Sequence, residues 1–504
     1  MDILTNTISL LFRPRQKEIA RFAQDADAIQ RKQLKSLLSA AKDTEWGLKY
    51  DYKSIQGYAD FCERIPLQTY DDIKPYVIRM INGEKNILWP SVVRWYAKSS
   101  GTTNDKSKFL PVTPEILKGC HYKGGFDTVS IYLRNNPDSH FFASKGLILG
   151  GSHSPSPLNR NAHCGDLSAV LLQNLNPLVN LIRVPDKKII LMDEWESKIK
   201  AIVESTWKAD VNSLSGVPSW MLVLIKAVLR KAGCEYLTDV WPNMEVFFHG
   251  GISFEPYRNQ YKALIPSDRM HYMETYNASE GFFGLQDDPA EHSLLMMIDY
   301  GVFYEFIPLN EVDSEHPTVL PLEAVEVGKN YAMVITTSGG LWRYQIGDTV
   351  RFTSLYPHKF VISGRTKNFI NAFGEELMVD NADKAISSVC RLTGAKVKEY
   401  TAAPLFMLDK AKGRHQWLIE FEKMPPSLEE FASLLDKTLQ QLNSDYEAKR
   451  YKEISLQPLE IRVAREGTFY EWLRRKGKLG GQHKIPRLSN DRTFIEELGR
   501  ICDL

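Results

Sequence analysis

The sequence predicts an α/β protein made of a large N-terminal domain, residues 1–365, and a smaller α+β domain, residues 366–504. Three observations predict it. At 504 residues the chain exceeds what one ordinary core can organise. Between about Val92 and Thr353, short β-rich runs alternate with helical ones. Near residue 366 that alternation gives way to a mixture of longer helices and strands.

The opening element is helical. From Gln16 to about Lys42, Ile19, Phe22, Ala23, Ile29, Leu34, Leu37 and Leu38 recur at the spacing of one helix face, which predicts scaffold helices. The β-rich runs that follow are Val92–Tyr96, Gly146–Leu149, Lys188–Met192, Met244–Phe248 and Tyr331–Ile335. Strands separated by helices put ligands at the strand ends. Phe360–Ser363 reads as a strand ending at Gly364-Arg365-Thr366-Lys367, followed by helices over about Asp380–Leu392 and Leu428–Leu442 and a strand at Trp417–Phe421.

Composition excludes several classes of function. Sixty-three Lys and Arg against sixty-two Asp and Glu leave a formal charge of +1, so no global field draws the chain to nucleic acid or to an anionic membrane. No run reaches the roughly 20 apolar residues needed to cross a bilayer. Cys62, Cys120, Cys164, Cys234, Cys390 and Cys502 lie far apart without metal-type spacing, the usage expected of a reduced cytoplasmic protein. The eleven histidines form no His-Glu-x-x-His, and no transition-metal site is expected.

Four stretches have the residue types for chemistry. In Ser99-Ser100-Gly101-Thr102-Thr103-Asn104-Asp105-Lys106-Ser107-Lys108, hydroxyls, glycine-freed backbone N–H groups and Lys108 suit phosphate oxygens. Taken alone, the stretch fits a polar surface turn equally well. In Tyr272–Gly281, Tyr276 can stack on a base, Ser279 can bond a phosphate and Glu280 can hold Mg²⁺, although composition alone favours an ordinary loop. Asn277 stands where a nucleophile elbow needs glycine, which argues against a serine hydrolase.

In Thr336–Asp348 a strand runs out into Gly-Asp, where Asp348 either accepts from both hydroxyls of a ribose or caps its own turn. The fourth stretch, Lys476–Arg487, is basic and glycine-rich. Lys484 on a mobile arm can reach a phosphate when the arm closes, though most basic runs are merely solvated.

Taken in order, these stretches resemble the motifs of the adenylate-forming enzymes, most closely the Gretchen Hagen-type acyl-acid amido synthetases. The resemblance is carried by Ser99, Ser100, Gly101, Thr102, Thr103 and Lys108, by Tyr276, Ser279 and Glu280, and by Trp342, Arg343, Tyr344, Gly347 and Asp348. Gln482, Lys484, Pro486 and Arg487 extend it, Phe247-Phe248-His249-Gly250-Gly251 resembles the glycine turn beside the adenine, and Gly364–Lys367 the hinge. Asn104-Asp105 and Trp342 depart from the family pattern.

The resemblance implies an adenylate-forming fold with a mobile C-terminal lid, using ATP and Mg²⁺ to activate a carboxylic acid and pass it to an amine, an amino acid above all. It implies Lys484 and Glu280 as catalytic residues, with Glu280 on the metal. Ser99, Ser100, Gly101, Thr102, Thr103, Lys108, Gly250, Gly251, Tyr276, Ser279, Asp348 and Arg365 are the implied nucleotide site. The runner-up is an acyl-CoA ligase, which shares the first step and differs in its thiol acceptor.

Overall fold

The computed structural model describes residues 2–99, 108–156, 159–251, 254–312, 314–366, 369–370, 372, 375, 377–406, 413–443, 446–447, 450, 456–477, 479 and 485–502. The expected α/β class is what forms. A twelve-stranded mixed sheet crosses the larger part of the chain. One half is parallel: Arg183–Val184, Lys145–Ile148, Val211–Gly216, Val246–Gly250 and His271–Ala278 lie side by side in that order. The other half is antiparallel, running from Gly281–Leu285 and Leu294–Met296 through His358–Arg365, Tyr344–Leu355 and Asn330–Thr337 to Val302–Pro308. A separate four-stranded sheet contains Trp95–Ser99 paired with Lys108–Val112.

Two cores sandwich the large sheet. One buries Phe12, Tyr96, Ile131, Phe282 and Tyr304 against the N-terminal helices, and the other buries Leu214, Met221, Phe247 and Tyr261 beneath the helix Pro218–Ala232. Strands buried on both faces are hydrophobic throughout, which is why these runs stand out in the sequence. Beyond Arg365, a three-stranded sheet of Lys396–Phe406, Gly413–Lys423 and Glu460–Ala464 packs with the helices Val379–Thr393 and Leu428–Leu442 around Ile386, Trp417 and Phe431.

Several local expectations shift. The first helix starts at Ile3, where the Asp2 carboxylate accepts from the Thr5 N–H at 2.9 Å, and it carries Pro14 within it. The Lys188–Met192 run is not a strand: Lys187–Ile190 is a short helix, and Arg183–Val184 takes the sheet position beside Lys145–Ile148. Five residues are too few to separate a period of 2 from one of 3.6. Tyr272–Gly281 is not a free loop but a β-hairpin, His271–Ala278 turning at Ser279-Glu280 into Gly281–Leu285. Pairing with Val246–Gly250 satisfies its backbone, which composition does not reveal. Among the described residues no helix is long and apolar enough to cross a membrane.

Candidate active site

The parallel strands Val211–Gly216, Val246–Gly250 and His271–Ala278 end on one side of the sheet, the position from which such sheets bind ligands. A cleft of about 1030 Å³ opens there between the two lobes. Tyr276, Ser279, Glu280, Asp348 and Arg365 line it from the larger lobe, and Glu399, Glu420 and Arg487 from the smaller.

Glycine is required at the end of Val246–Gly250. A Cβ on Gly250 would lie 2.2 Å from the Thr275 carbonyl oxygen of the neighbouring strand. Gly251 has φ 82°, a left-handed conformation that costs other residues energy. The pair therefore brings bare backbone to the cleft wall, where Gly251 is exposed to it.

Asp348 reaches the cleft because the strand Tyr344–Leu355 bulges. Its register against Asn330–Thr337 slips between Ala332 and Val334, and Gly347 within the bulge has φ 85°. Bulges re-aim side chains in this way. The Asp348 carboxylate pairs with the Arg365 guanidinium at 2.9 Å and accepts a short hydrogen bond from the Tyr276 hydroxyl. Arg365 also donates to the Ile346 carbonyl at 3.2 Å, and Asp348 favours its charged form.

Glu280 sits in the hairpin turn with its side chain buried. Burial and then the nearby Asp348 charge push its carboxyl up to about 6, opposed by Arg365 and Lys108. It forms no ion pair among the described residues, and Ser279 beside it is also buried. On the strand that leads into this turn, burial and Glu255 push Glu274 up to about 7.

The third sequence stretch divides between two tasks. Trp342 and Arg343 stay out of the cleft: the Trp342 indole donates to the Leu88 carbonyl at 3.1 Å, and Arg343, at φ 44°, holds buried Glu305 at 2.9 Å and the Ile65 carbonyl at 2.7 Å. Asp348 alone of the stretch lines the cleft, through the bulge at Gly347.

The first stretch is only partly placed. Ser99 ends the strand Trp95–Ser99 opposite Lys108, whose ammonium lies 5.7 Å over the Tyr70 ring. Ser100, Gly101, Thr102, Thr103, Asn104 and Asp105 lie outside the described residues, as does Lys484. Arg487, three positions beyond Lys484, is described: it bonds Glu399 at 2.5 Å and the Tyr257 hydroxyl at 3.2 Å, tying the two lobes together.

Sequence reasoning missed Lys98, Asn277 and Glu399 as cleft residues. Only a strand assignment for their segments would have shown which of them point inward.

The comparisons with known proteins agree with one another. Residues 15–270 match the GH3 family N-terminal domain, 295–365 its central domain and 380–493 its C-terminal domain. The indole-3-acetic acid-amido synthetase GH3.3 of Arabidopsis thaliana is 25% identical over 95% of this chain and 92% of its own length. The 4-substituted benzoates-glutamate ligase GH3.12 of Arabidopsis thaliana is 22% identical over 94% of each chain. In fold, the GH3.15 acyl acid amido synthetase superposes with a TM-score of 0.76 at 20% identity, covering 96% of this chain and 94% of that one. A 2-hydroxyisobutyryl-CoA ligase solved with an acyl-AMP superposes at 0.60 and 11% identity over 95% of this chain and 92% of that one. With its family model spanning residues 15–270 and the other two continuing to residue 493, this chain belongs to the GH3 family.

Proposed function

We propose that this chain is an ATP-dependent acyl acid amido synthetase, a ligase that adenylates a carboxylic acid and transfers the acyl group to an amine, an amino acid above all. The observation that carries the reading is the meeting of Asp348, Arg365, Tyr276 and Glu280 in one interlobe cleft at the ends of parallel strands. In the first step a carboxylate oxygen attacks the α-phosphorus of ATP and the bond to pyrophosphate breaks. In the second an amine nitrogen attacks the acyl carbon, AMP leaves with the electron pair of the C–O bond, and the nitrogen gives up a proton.

Each residue has work of a definite kind. Asp348, already gripped by Arg365, offers oxygens to the ribose hydroxyls, and Tyr276 flanks the base. Backbone at Gly250 and Gly251 lies beside the base, while Ser279, the Ser99–Thr103 segment and Lys108 supply donors to the phosphates. Lys484 supplies positive charge as the smaller lobe, residues 366–504, closes about Arg365.

Glu280 suits Mg²⁺: its carboxylate is buried and lacks an ion-pair partner among the described residues. No set of three or more His, Cys, Asp or Glu among those residues could cage a metal. Mg²⁺ needs no such cage, since it takes one or two carboxylates and completes its shell with water and phosphate oxygens. When bound, it neutralises the charge that builds on the phosphoryl oxygens. The reaction is placed in the cytoplasm, in keeping with six unpaired cysteines.

ATP–pyrophosphate exchange across a panel of carboxylic acids tests this reading. Exchange with some acid, loss of exchange in Lys484→Ala, and an amide product on adding amino acids are expected. No exchange with any acid, or a product only with CoA, overturns it.

A further inference from the structure

The end of the strand His271–Ala278 lines the cleft with Tyr276, Asn277 and Ala278. Successive side chains point to opposite faces of a strand, so Tyr276 reaches Asp348 on one face while Asn277 turns to the other. There Asn277 meets the helix that begins with a π-helical turn at Leu117–Tyr122 and continues as Lys123–Asn135. The helix lies close to the hairpin: a Cβ on Gly124 would fall 2.5 Å from the Phe282 ring, and the Cys120 sulfur accepts from the Phe282 N–H at 3.1 Å.

That approach places His121 Nδ1 2.9 Å from Asn277 Oδ1. His121 is 3% exposed, and its other nitrogen, Nε2, is buried without a hydrogen-bond partner among the described residues. A proton on Nε2 would be a stranded buried donor, whereas a proton on Nδ1 has the amide oxygen to bond. Burial keeps the ring neutral, pushing its pKa down to about 4. The imidazole is thus a fixed Nδ1–H donor that orients the amide.

The consequence falls on the other end of the amide. With Oδ1 committed to His121, Asn277 Nδ2 carries two N–H donors, and among the described residues nothing accepts from them. Asn277 lines the cleft, between the Tyr276 side chain on the nucleotide face and the apolar helix face around His121. An acid adenylated at the proposed site has to bring its carboxyl group into this cleft, beside Tyr276 and Asn277.

We propose that Asn277, held by His121, donates to the carboxyl oxygen of the acyl substrate, fixing it for attack on the α-phosphorus and afterwards bearing the charge that grows on that oxygen when the amine adds. Asn277 is the binding donor and His121 a positioning residue acting through it. The proposal rests on the adenylating function proposed above. A neutral amide suits this place because Glu280 already occupies the neighbouring turn with a carboxylate. A cation here would be drawn to Glu280 rather than to the substrate.

The test uses the full chain in acid-dependent ATP–pyrophosphate exchange, with a panel of aromatic and aliphatic acids that includes indole-3-acetate, 4-hydroxybenzoate and 2,4-DB. Asn277→Ala should lower kcat/KM for the acid about tenfold while KM for ATP stays within about twofold. Asn277→Asp, equal in size but without donors, should lose at least as much. A purely structural asparagine would tolerate that isostere best. His121→Phe should resemble Asn277→Ala, and the double variant should be no worse than Asn277→Ala alone. Unfolding temperatures are read alongside, and Asn277→Asp keeps the side-chain volume if Ala disturbs packing.

If the wild-type chain exchanges with an acid but Asn277→Asp keeps its kcat/KM, or the two single losses simply multiply, the inference is wrong and the adenylating reading stands. If the wild-type chain exchanges with no acid, both fall.

Discussion

Asp348 and Arg365 are direct partners across adjacent strands, and their side chains close an ion pair at 2.9 Å where the chain leaves the large sheet. The same carboxylate accepts from Tyr276. One residue therefore joins the cleft-lining Tyr276 to Arg365, the last arginine before the smaller lobe.

Asp348→Asn keeps the shape and removes the charge. It should lower kcat/KM for ATP in pyrophosphate exchange by at least tenfold, because a charge-assisted pair is lost and Arg365 is left beside the site without its counter-ion. KM for the acid should change little. Steady-state kinetics with each substrate varied in turn gives the answer.

Glu280 predicts opposite effects on stability and activity. Its folded pKa, about 6, lies above the ordinary 4.5, so the native state holds this proton more tightly than the unfolded chain does. Stability is therefore lost as pH rises from about 4.5 to about 6, and above that the ionised group costs about 2 kcal/mol. Glu280→Gln should stabilise the chain by up to that amount at pH 7.5 and by nothing at pH 4.5, while abolishing exchange. Wild-type exchange should fall as pH drops through about 6. Thermal unfolding and rate profiles of both chains check this.

The buried pair Arg343–Glu305 is scaffold. Glu305 is fully buried and Arg343 nearly so, and Arg343 also satisfies the Cys62 and Ile65 carbonyls. Glu305→Leu leaves that guanidinium buried without a counter-charge and should cost about 3–5 kcal/mol, read from urea unfolding. An unchanged midpoint would show that the carbonyls alone suffice.

Tyr257 and Arg487 hold the lobes in the arrangement described, with Tyr257 also 3.4 Å from Glu399. Tyr257→Phe removes only the hydroxyl and should weaken this lobe arrangement by about 1 kcal/mol. Small-angle scattering should then report a larger radius of gyration, with unfolding temperature nearly unchanged.

The sequence by itself determined the elements whose pattern is long and local. The helix expected over about Leu428–Leu442 forms at Leu428–Leu442, because four turns of apolar spacing leave no second interpretation. The α/β class follows from the buried strand runs, and family membership from ordered motifs, each weak alone. Five residues at Lys188–Met192 could not decide helix from strand, and the tertiary structure decided it by filling the sheet with Arg183–Val184 instead.

Tertiary structure also decided where the described motif residues lie. Within one stretch it assigned Trp342 and Arg343 to the core and Asp348 to the cleft, through a glycine bulge whose register depends on the neighbouring strands. His121 and Asn277, 156 positions apart, meet only because Gly124 lets a helix settle onto the hairpin. Periodicity is set by neighbours along the chain and so is legible in sequence. The partner of a polar side chain is set by packing between distant segments, which one sequence does not record.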